Sequence, residues 1–348
     1  MKGVCFQNIE SIACLDLPDP TILDPHDAIV QVSLAGLCGS DLHAYFGRET
    51  GLDAGTVMGH EFVGTVVEVG TAVSRISVGH RVNAPFTSNC GDCFYCEQGL
   101  TARCVSGQLF GWRERGQGLH GGQSEFVRVP LADGTLKQIP ESISDASALL
   151  LGDNFSTGFY CAEMADVKPD GVYVVVGCGT VGLLCILAAQ HMGATKIYAL
   201  DPIPERRHEA ESLGAIGLDV DESAIEKVFS ATDGRGADAV MELVGLPAAQ
   251  KLAYRLLRPG GIMSVVGCHC TEHFSFSPVD AFDKNLTYRT GRCSARWYMD
   301  RLTDLVADGT FQLDSFVSRR FGVSDAVEAY DVFSNRKDGC LKAAIEFS

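Results

Sequence analysis

Four cysteines stand close together in the segment NCGDCFYCEQGLTARC, with the spacing C-x2-C-x2-C-x7-C. They are Cys90, Cys93, Cys96 and Cys104. Four thiolates this close can surround one Zn²⁺ tetrahedrally and leave no position open for a substrate. The segment therefore predicts a structural zinc site that holds a loop without a core of its own. Four free cysteines, or an iron–sulfur cluster, are the alternatives.

The glycine-rich segment VVVGCGTVG predicts a dinucleotide site. Gly177, Gly179 and Gly182 form the pattern G-x-G-x-x-G directly after an apolar run and before a helical pattern. Such glycines allow a tight turn, close approach of a pyrophosphate and close packing of helix on strand. The helix that begins with Thr180 and Val181 would then direct its N-terminus at the phosphates. The alternative is a glycine turn in an α/β domain that binds no cofactor.

Asp201 indicates which nicotinamide cofactor this site takes. It ends the next apolar run, KIYALD, 24 residues after Gly177. A carboxylate there accepts a hydrogen bond from a ribose 2′-hydroxyl and repels a 2′-phosphate, which favours NAD over NADP. Arg206 and Arg207 work against this prediction, because one of them could reach a 2′-phosphate.

A third set of candidates is scattered along the chain. Cys38 lies in GLCGSDLH, His60 and Glu61 lie in MGHEFVG, and Asp153 lies in LLLGDNFSTG. Taken singly, Cys38 is typical of a packed core thiol, His60 of a satisfied core imidazole and Asp153 of a helix N-cap. Spacing alone cannot assemble these residues into one site.

The elements that must position these residues change in character near residue 150. Before it, runs such as AIVQVSLAG at 28–36 and FVGTVVEVG at 62–70 alternate apolar and polar residues, which predicts a compact antiparallel, barrel-like domain. From residue 172 to 267, apolar strands alternate with helical patterns, which predicts a parallel sheet covered on both faces. The closing segment LKAAIEF alternates like the first domain, and we expect the tail to return to it.

Composition and charge exclude several classes of function. The 348 residues include 28 Lys and Arg against 44 Asp and Glu, a net charge of −16, which argues against a nucleic-acid partner. The start MKGVCFQNIE has no signal-peptide pattern, so the 14 cysteines suit metal binding or burial better than disulfides. The longest apolar stretch, VGLLCILAAQ, is too short to span a bilayer. We expect a soluble, cytoplasmic protein with no membrane partner.

Taken together and in order, these motifs resemble the zinc-dependent medium-chain alcohol dehydrogenase family over nearly the whole chain. The resemblance implies an α/β fold, with a Rossmann-type doubly wound parallel sheet and a GroES-like β-barrel catalytic domain. It implies a catalytic domain with a structural zinc lobe over residues 1–155, an NAD-binding domain over 156–292, and a return to the catalytic domain over 293–348. It also implies a homodimer or homotetramer.

The resemblance implies roles for single residues. Cys38, His60 and Asp153 match the catalytic zinc ligands, and Glu61 matches a residue beside the zinc that can replace a ligand. Ser40 and His43 match a proton relay. Thr157 matches a residue near the nicotinamide, Arg206 belongs to the expected cofactor site, and Lys342 aligns with a basic contact to the pyrophosphate. Two zinc ions per chain and NAD are the expected cofactors.

The activity implied is hydride transfer between an alcohol and NAD, reversible to the carbonyl. The segment GLHGGQSEFVRVPLAD further resembles the branch that includes formaldehyde dehydrogenase-like and secondary-alcohol dehydrogenases. A secondary alcohol or polyol is therefore the expected small-molecule substrate. A formaldehyde-acting dehydrogenase or dismutase is the alternative enzyme, and a nicotinamide- and zinc-binding sensor is the alternative outside catalysis.

Overall fold

The computed structural model describes residues 1–347, which divide into two compact units. The first unit contains Met1–Ser156 and the chain from Ser294 onwards, and the second contains Thr157–Cys293. The chain therefore leaves the first unit once and returns to it. Within residues 1–347, no helix has both the length and the apolar character that crossing a bilayer requires.

The strands are, in chain order, β1 (Lys2–Asn8), β2 (Ser11–Asp16), β3 (Ala28–Gly36), β4 (Phe62–Val69), β5 (Arg81–Asn83), β6 (Trp112–Glu114), β7 (Gln117–Leu119), β8 (Phe126–Val129), β9 (Lys137–Gln138), β10 (Val172–Val176), β11 (Lys196–Leu200), β12 (Ile216–Leu218), β13 (Ala237–Glu242), β14 (Leu257–Val265), β15 (Thr287–Thr290), β16 (Arg319–Gly322) and β17 (Ala343–Glu346). The helices are α1 (Asp41–Tyr45), α2 (Phe94–Glu97), α3 (Ala132–Thr135), α4 (Asp145–Leu151), α5 (Asn154–Met164), α6 (Thr180–His191), α7 (Pro204–Ser212), α8 (Glu222–Ser230), α9 (Pro247–Leu256), α10 (Pro278–Asp283), α11 (Ala295–Ala307) and α12 (Ala326–Ser334). Short 3₁₀ helices cover Thr101–Arg103, Asp314–Phe316, Val323–Asp325 and Lys337–Gly339.

A seven-stranded sheet forms the centre of the first unit. Its order is β16-β17-β3-β4-β5-β9, and β8 pairs with β3 beside this path. β3 runs antiparallel to β4, β8 and β17, whereas β16 and β17 are parallel. Alternate residues Ala28, Val30 and Val32 of β3 enter the hydrophobic core, which is the period-two pattern of a half-buried strand.

Strand register brings three distant parts of the chain to one end of this sheet. Ala35 on β3 pairs with Phe62 on β4, and the N–H of Gly36 donates to the carbonyl of Glu61 at 3.0 Å. The N–H of Leu37 donates to the carbonyl of Ala343 on β17 at 2.9 Å. The residues that follow β3, precede β4 and precede β17 are therefore neighbours, although the sequence separates them by up to about 300 positions.

The second unit is built on a six-stranded sheet in the order β12-β11-β10-β13-β14-β15, in which every neighbouring pair is parallel. The chain passes from β10 to β11 and β12 on one side, and then returns to β13 on the other. Residues 173–176 of β10 are buried, because a central parallel strand is covered on both faces. This confirms the predicted Rossmann-type, doubly wound sheet.

Candidate functional site

Cys38, His60, Glu61 and Asp153 converge in the first unit. One ligand atom from each lies within 4.8 Å of those from the other three. Cys38 follows β3, and His60 and Glu61 precede β4, so the pairing of these strands brings them together. Asp153 lies between the end of α4 and the start of α5. Tertiary structure thus assembles the scattered candidates.

The side chains form a connected set of short contacts. Cys38 Sγ lies 3.4 Å from Asp153 Oδ2, and His60 Nε2 lies 3.5 Å from the same oxygen. Ser40 Oγ lies 3.1 Å from His60 Nε2. The imidazole therefore turns Nε2 toward the other candidate ligands.

Asp41 holds the other side of this imidazole and was missed by the sequence reasoning. Its Oδ1 lies 3.1 Å from His60 Nδ1, and its Oδ2 accepts a hydrogen bond from the Cys38 N–H at 2.8 Å. One carboxylate thus orients two of the candidate ligands, as partners of metal-binding histidines do. The sequence feature that could have identified Asp41 is its carboxylate, three residues after Cys38 in the segment GLCGSDLH.

The electrostatics show that these groups are short of positive charge. Burial, together with Asp153 and Glu61, raises the pKa of the Cys38 thiol. Although burial opposes protonation, Asp41 and Asp153 raise the pKa of His60 well above its ordinary value. Burial also opposes ionisation of Asp153, yet His60 holds the pKa of this carboxyl below its usual range. A cation among these atoms would stabilise the thiolate and the carboxylates together.

The donor set fits a zinc ion. Thiolate sulfur, imidazole nitrogen and carboxylate oxygen are the three ligand types that zinc takes in proteins. All three are present within 4.8 Å of one another, and the imidazole has its far nitrogen fixed by Asp41. Cys38, His60 and Asp153 could therefore hold zinc with three protein ligands, the number found in catalytic sites.

Glu61 is fully buried beside this set and has two partners of its own. Lys342, which is also buried, forms an ion pair with its carboxylate, with Nζ 2.6 Å from Oε1. Asn154, a second residue that the sequence reasoning missed, donates from Nδ2 to Glu61 Oε1 at 2.9 Å and to Asp153 Oδ2 at 3.2 Å. Lys342 therefore lies against Glu61, and the pyrophosphate contact expected of it stays a prediction.

The two relay candidates lie at the start of α1. His43 is buried, and its Nδ1 has no hydrogen-bond partner among residues 1–347. Burial, reinforced by the positive charge of Arg48, lowers the pKa of His43 against the opposing effect of Asp41. A neutral imidazole with a free nitrogen can accept a proton.

The four predicted cysteines of the loop also come together. The sulfur atoms of Cys90, Cys93, Cys96 and Cys104 all lie within 4.8 Å of one another. Backbone N–H donors lower the pKa of Cys93 to about 6, whereas burial raises the pKa of Cys96 to about 11. None of the 14 cysteines, all of which the structure describes, is in a disulfide. Four converging thiols fit a closed, tetrahedral zinc site.

The glycine loop of the second unit connects β10 to α6. Gly177 has φ +96, a value that glycine adopts without strain, and a Cβ on Gly182 would overlap the carbonyl oxygen of Gly177. Gly179 caps α6, which begins at Thr180 and continues through Val181. The N-terminus of a helix such as α6, next to a glycine loop, is a place where phosphates can bind.

Asp201 lies directly after β11 and is bound to this loop. Its Oδ2 accepts a hydrogen bond from the Cys178 N–H, and its Oδ1 accepts one from the Ile203 N–H, both at 2.9 Å. Arg206 Nη1 lies 3.7 Å from Oδ2. A carboxylate has about four acceptor positions, so this one can still accept hydrogen bonds from a ribose. Thr157 lies in α5, at the start of the second unit.

Comparisons with known proteins cover both units. Residues 24–141 match the family described as "Alcohol dehydrogenase GroES-like domain", and residues 180–308 match the family described as "Zinc-binding dehydrogenase". The curated protein "Zinc-type alcohol dehydrogenase B" of Aspergillus flavus is 39% identical over 97% of this chain and 79% of its own length.

Solved structures agree with these matches. The alcohol dehydrogenase TADH from Thermus sp. ATN1 has a TM-score of 0.92 and 37% identity, covering 99% of both chains. The 2R,3R-butanediol dehydrogenase from Bacillus subtilis has a TM-score of 0.83 and 26% identity, covering 100% of this chain and 99% of its own. The predicted fold class, including the GroES-like part, is confirmed.

We predict that Cys90→Ser weakens the loop and spares the Cys38 cluster. If the loop binds zinc, loss of one thiolate should lower the zinc content by one ion per chain and the thermal unfolding midpoint by about 5 °C or more. Elemental analysis and thermal unfolding measure both effects. Cys14→Ser, which changes a half-buried cysteine outside the loop, is the control and should keep both ions. A Cys90→Ser protein with two zinc ions and an unchanged midpoint would contradict the structural site.

Proposed function

Because the chain belongs to the zinc-dependent medium-chain alcohol dehydrogenase family, we propose that it transfers hydride reversibly between NAD and a secondary alcohol or polyol. It is an alcohol dehydrogenase that uses zinc and a nicotinamide cofactor and acts on small-molecule alcohols or carbonyls. The observation that carries the proposal is the convergence of Cys38, His60 and Asp153.

Each unit has its own part in this proposal. The first unit, which holds the Cys38 cluster and the four-cysteine loop, is the catalytic domain, and the second unit is the NAD-binding domain. The assembly proposed is a homodimer or homotetramer, and the location proposed is the cytoplasm.

Zinc held by Cys38, His60 and Asp153 would supply a Lewis acid that makes an alcohol hydroxyl acidic near neutral pH. Ser40, whose Oγ lies 3.1 Å from His60 Nε2, would accept the proton of an alcohol hydroxyl and give up its own hydroxyl proton to the rest of the relay. His43 is proposed to receive the proton after the cofactor ribose, because its buried Nδ1 has no hydrogen-bond partner among residues 1–347 and burial lowers its pKa. Thr157 is proposed to contact the nicotinamide, which receives the hydride.

Asp201 supports NAD as the cofactor. Its carboxylate is fixed by two backbone N–H groups beside the glycine loop, so its charge stands at a defined place next to the expected ribose. A 2′-phosphate at that place would be repelled, while Arg206, 3.7 Å away, offsets part of the negative charge. The similarity to the butanediol dehydrogenase of Bacillus subtilis supports a secondary alcohol or polyol as substrate.

A substrate panel tests the activity as a whole. With NAD, the purified protein should oxidise secondary alcohols and polyols with a higher kcat/KM than primary alcohols, followed by NADH absorbance. Reduction of the matching ketones with NADH should also be seen, because the reaction is reversible. A panel in which formaldehyde alone reacts would overturn the proposed substrate class in favour of a formaldehyde-acting enzyme.

Asp153→Asn tests the assignment of the third ligand. If Asp153 binds zinc, the change should lower kcat/KM on the order of 10²-fold and leave about one zinc per chain, because an amide is a weaker ligand. Asn caps helices about as well as Asp, so a capping role alone predicts almost no effect. Asp221→Asn is the matched control, because Asp221 caps α8 by accepting from the Ala224 N–H. Normal turnover of Asp153→Asn with two zinc ions would leave the third ligand unassigned.

Asp201→Asn tests the cofactor preference. The ratio of kcat/KM with NAD to that with NADP should fall about tenfold, or about 1.4 kcal/mol, because the charge that repels a 2′-phosphate is lost. Asn keeps an oxygen that can still accept one of the two backbone hydrogen bonds. Asp219→Asn, which removes a half-exposed carboxylate 3.5 Å from Arg207, should leave the ratio unchanged. An undiminished preference for NAD in Asp201→Asn would show that the carboxylate does not set it.

A further inference from the structure

Cys268 and Cys270 differ from the other cysteines of the chain in their exposure. The structure describes all 14 cysteines, and these two are exposed whereas the others are buried or half-buried. Free cysteines are ordinarily among the most buried residues. The Sγ atoms of the two lie within 4.8 Å of each other, and Cys270 Sγ lies 4.0 Å from the Cys268 carbonyl oxygen. The second unit therefore presents two neighbouring thiols that a small molecule in solution can reach.

These thiols lie at the carboxyl edge of the six-stranded sheet. β14 ends at Val265, three residues before Cys268. Because β10, β13 and β14 are parallel, the segment after β14 lies at the same edge as the glycine loop after β10. Ligands of doubly wound sheets bind outside the carboxyl ends of the strands. The two thiols are thus on the edge at which the cofactor is proposed to bind.

Glu242, the last residue of β13, connects the cysteine segment to its neighbour. The side chain is fully buried, and its Oε1 accepts hydrogen bonds from the N–H groups of Val244 and Gly245, both at 2.8 Å. Its Oε2 lies 3.1 Å from Nε2 of His269, the residue between the two cysteines. One buried carboxylate therefore joins the segment after β13 to the segment after β14.

Close backbone packing on both sides of Glu242 completes this connection. A Cβ on Gly245 would overlap the carbonyl oxygen of Cys268, so the backbone of Cys268 has no room to move toward it. A Cβ on Gly177, in the glycine loop, would overlap the side chain of Val244. The cysteine segment, the segment after β13 and the glycine loop are therefore in direct contact, one after the other.

We propose that Cys268 and Cys270 form a redox-active dithiol, which a low-molecular-weight disulfide converts to a disulfide bond and whose closure weakens binding of the nicotinamide cofactor. The link to the cofactor rests on the proposed NAD site. The closure itself depends only on the two thiols and their accessibility.

The closure is a thiol–disulfide exchange in two steps, with glutathione disulfide as the oxidant. The thiolate of one cysteine attacks a sulfur of glutathione disulfide, which forms a mixed disulfide and releases one glutathione thiolate. The thiolate of the other cysteine attacks the protein sulfur of the mixed disulfide, and the second glutathione leaves. Two protein thiols lose two electrons, glutathione disulfide gains them, and the two thiol protons end on two glutathione molecules.

The structural consequence of closure falls on His269. A disulfide holds its sulfur atoms about 2.0 Å apart, so the two thiols must move together before it forms. The packed backbone of Cys268 leaves this movement to residues 269 and 270. It draws His269 away from Glu242, and the buried carboxylate loses a partner. The segment that contacts the glycine loop is then held less firmly, which weakens cofactor binding.

Mass spectrometry of the zinc-loaded protein measures the closure. After incubation with glutathione disulfide, the remaining thiols are blocked with N-ethylmaleimide and the chain is cut with trypsin. The expected peptide 256–284 contains Cys268 and Cys270 and no other cysteine. It should lose two hydrogen atoms and carry no N-ethylmaleimide, and dithiothreitol should reverse the change.

Fluorescence titration with NADH measures the link to the cofactor. Closure should raise the Kd for NADH about tenfold without changing the zinc content, and reduction should restore it. Because coupling between two sites is reciprocal, saturating NADH should shift the equilibrium with glutathione toward the dithiol by the same factor. His269→Ala should raise the Kd about tenfold without any oxidant, because it removes the contact with Glu242.

Three cysteine variants are the controls. Cys270→Ser keeps one thiol of the pair, so its reaction should stop at a mixed disulfide of Cys268 with glutathione. The double variant Cys268→Ser with Cys270→Ser should bind NADH like the reduced wild type and should not respond to glutathione disulfide. Cys14→Ser, which changes a half-buried cysteine of the first unit, should close and respond like wild type.

The outcomes separate three failures. Wild-type peptide 256–284 that stays reduced, or that stops at a mixed disulfide, would overturn the dithiol. Closure with an unchanged Kd, an equal rise of the Kd in the double serine variant, or an unchanged Kd in His269→Ala would overturn its link to the cofactor through Glu242. Reduced wild-type protein that binds no NADH would overturn the proposed NAD site, and the closure measured by mass would still stand.

Discussion

The fold brings ligand atoms of three acidic side chains and one imidazole within 4.8 Å of one another: Cys38, Glu61, Asp153 and His60. The free energy of burying their charges determines which groups can lie next to them. An isolated buried carboxylate is far too costly, so each must meet a cation or hydrogen-bond donors. Lys342 forms an ion pair with Glu61, and the amide of Asn154 donates to both Glu61 and Asp153. Asp41 and Asp153 also raise the pKa of His60 although burial opposes it, because a positive charge there would offset the carboxylates. Zinc, the cation proposed for this site, would satisfy the remaining groups.

Backbone pairing is what makes this concentration possible. β4 and β17 both pair with β3, so residues that follow one strand and precede the two others meet at a single end of the sheet. This explains why a motif spread from Cys38 to Lys342 is local in space. The return of the chain to the first unit after Ser294 supplies the counter-ion of Glu61, because Lys342 lies in the returning segment.

The sequence alone predicted features that depend on local spacing. The four cysteines fall within 15 residues, and the buried run of β10 followed by glycines identifies a parallel strand and a dinucleotide loop without knowledge of its neighbours. The Cys38 set was recognised only through the family resemblance, because its residues are brought together by strand register. Asp41 and Asn154 were missed for a related reason. Each stands beside a recognised residue, but its partners come from other parts of the chain and are visible only once the chain is folded.

The net charge of the buried site explains why Glu61 forms an ion pair with Lys342. A doubly charged zinc ion held by the thiolate of Cys38 and the carboxylate of Asp153 would make a neutral centre, and the pair of Glu61 with Lys342 is neutral as well. Two neutral groups can share a largely buried site, whereas Glu61 without its lysine would leave one uncompensated charge there. If Glu61 were to join the metal, the centre would become anionic and Lys342 would lose its partner. The proposed division of the four donors into three ligands and one ion pair would thus leave no charge unmatched within this buried site.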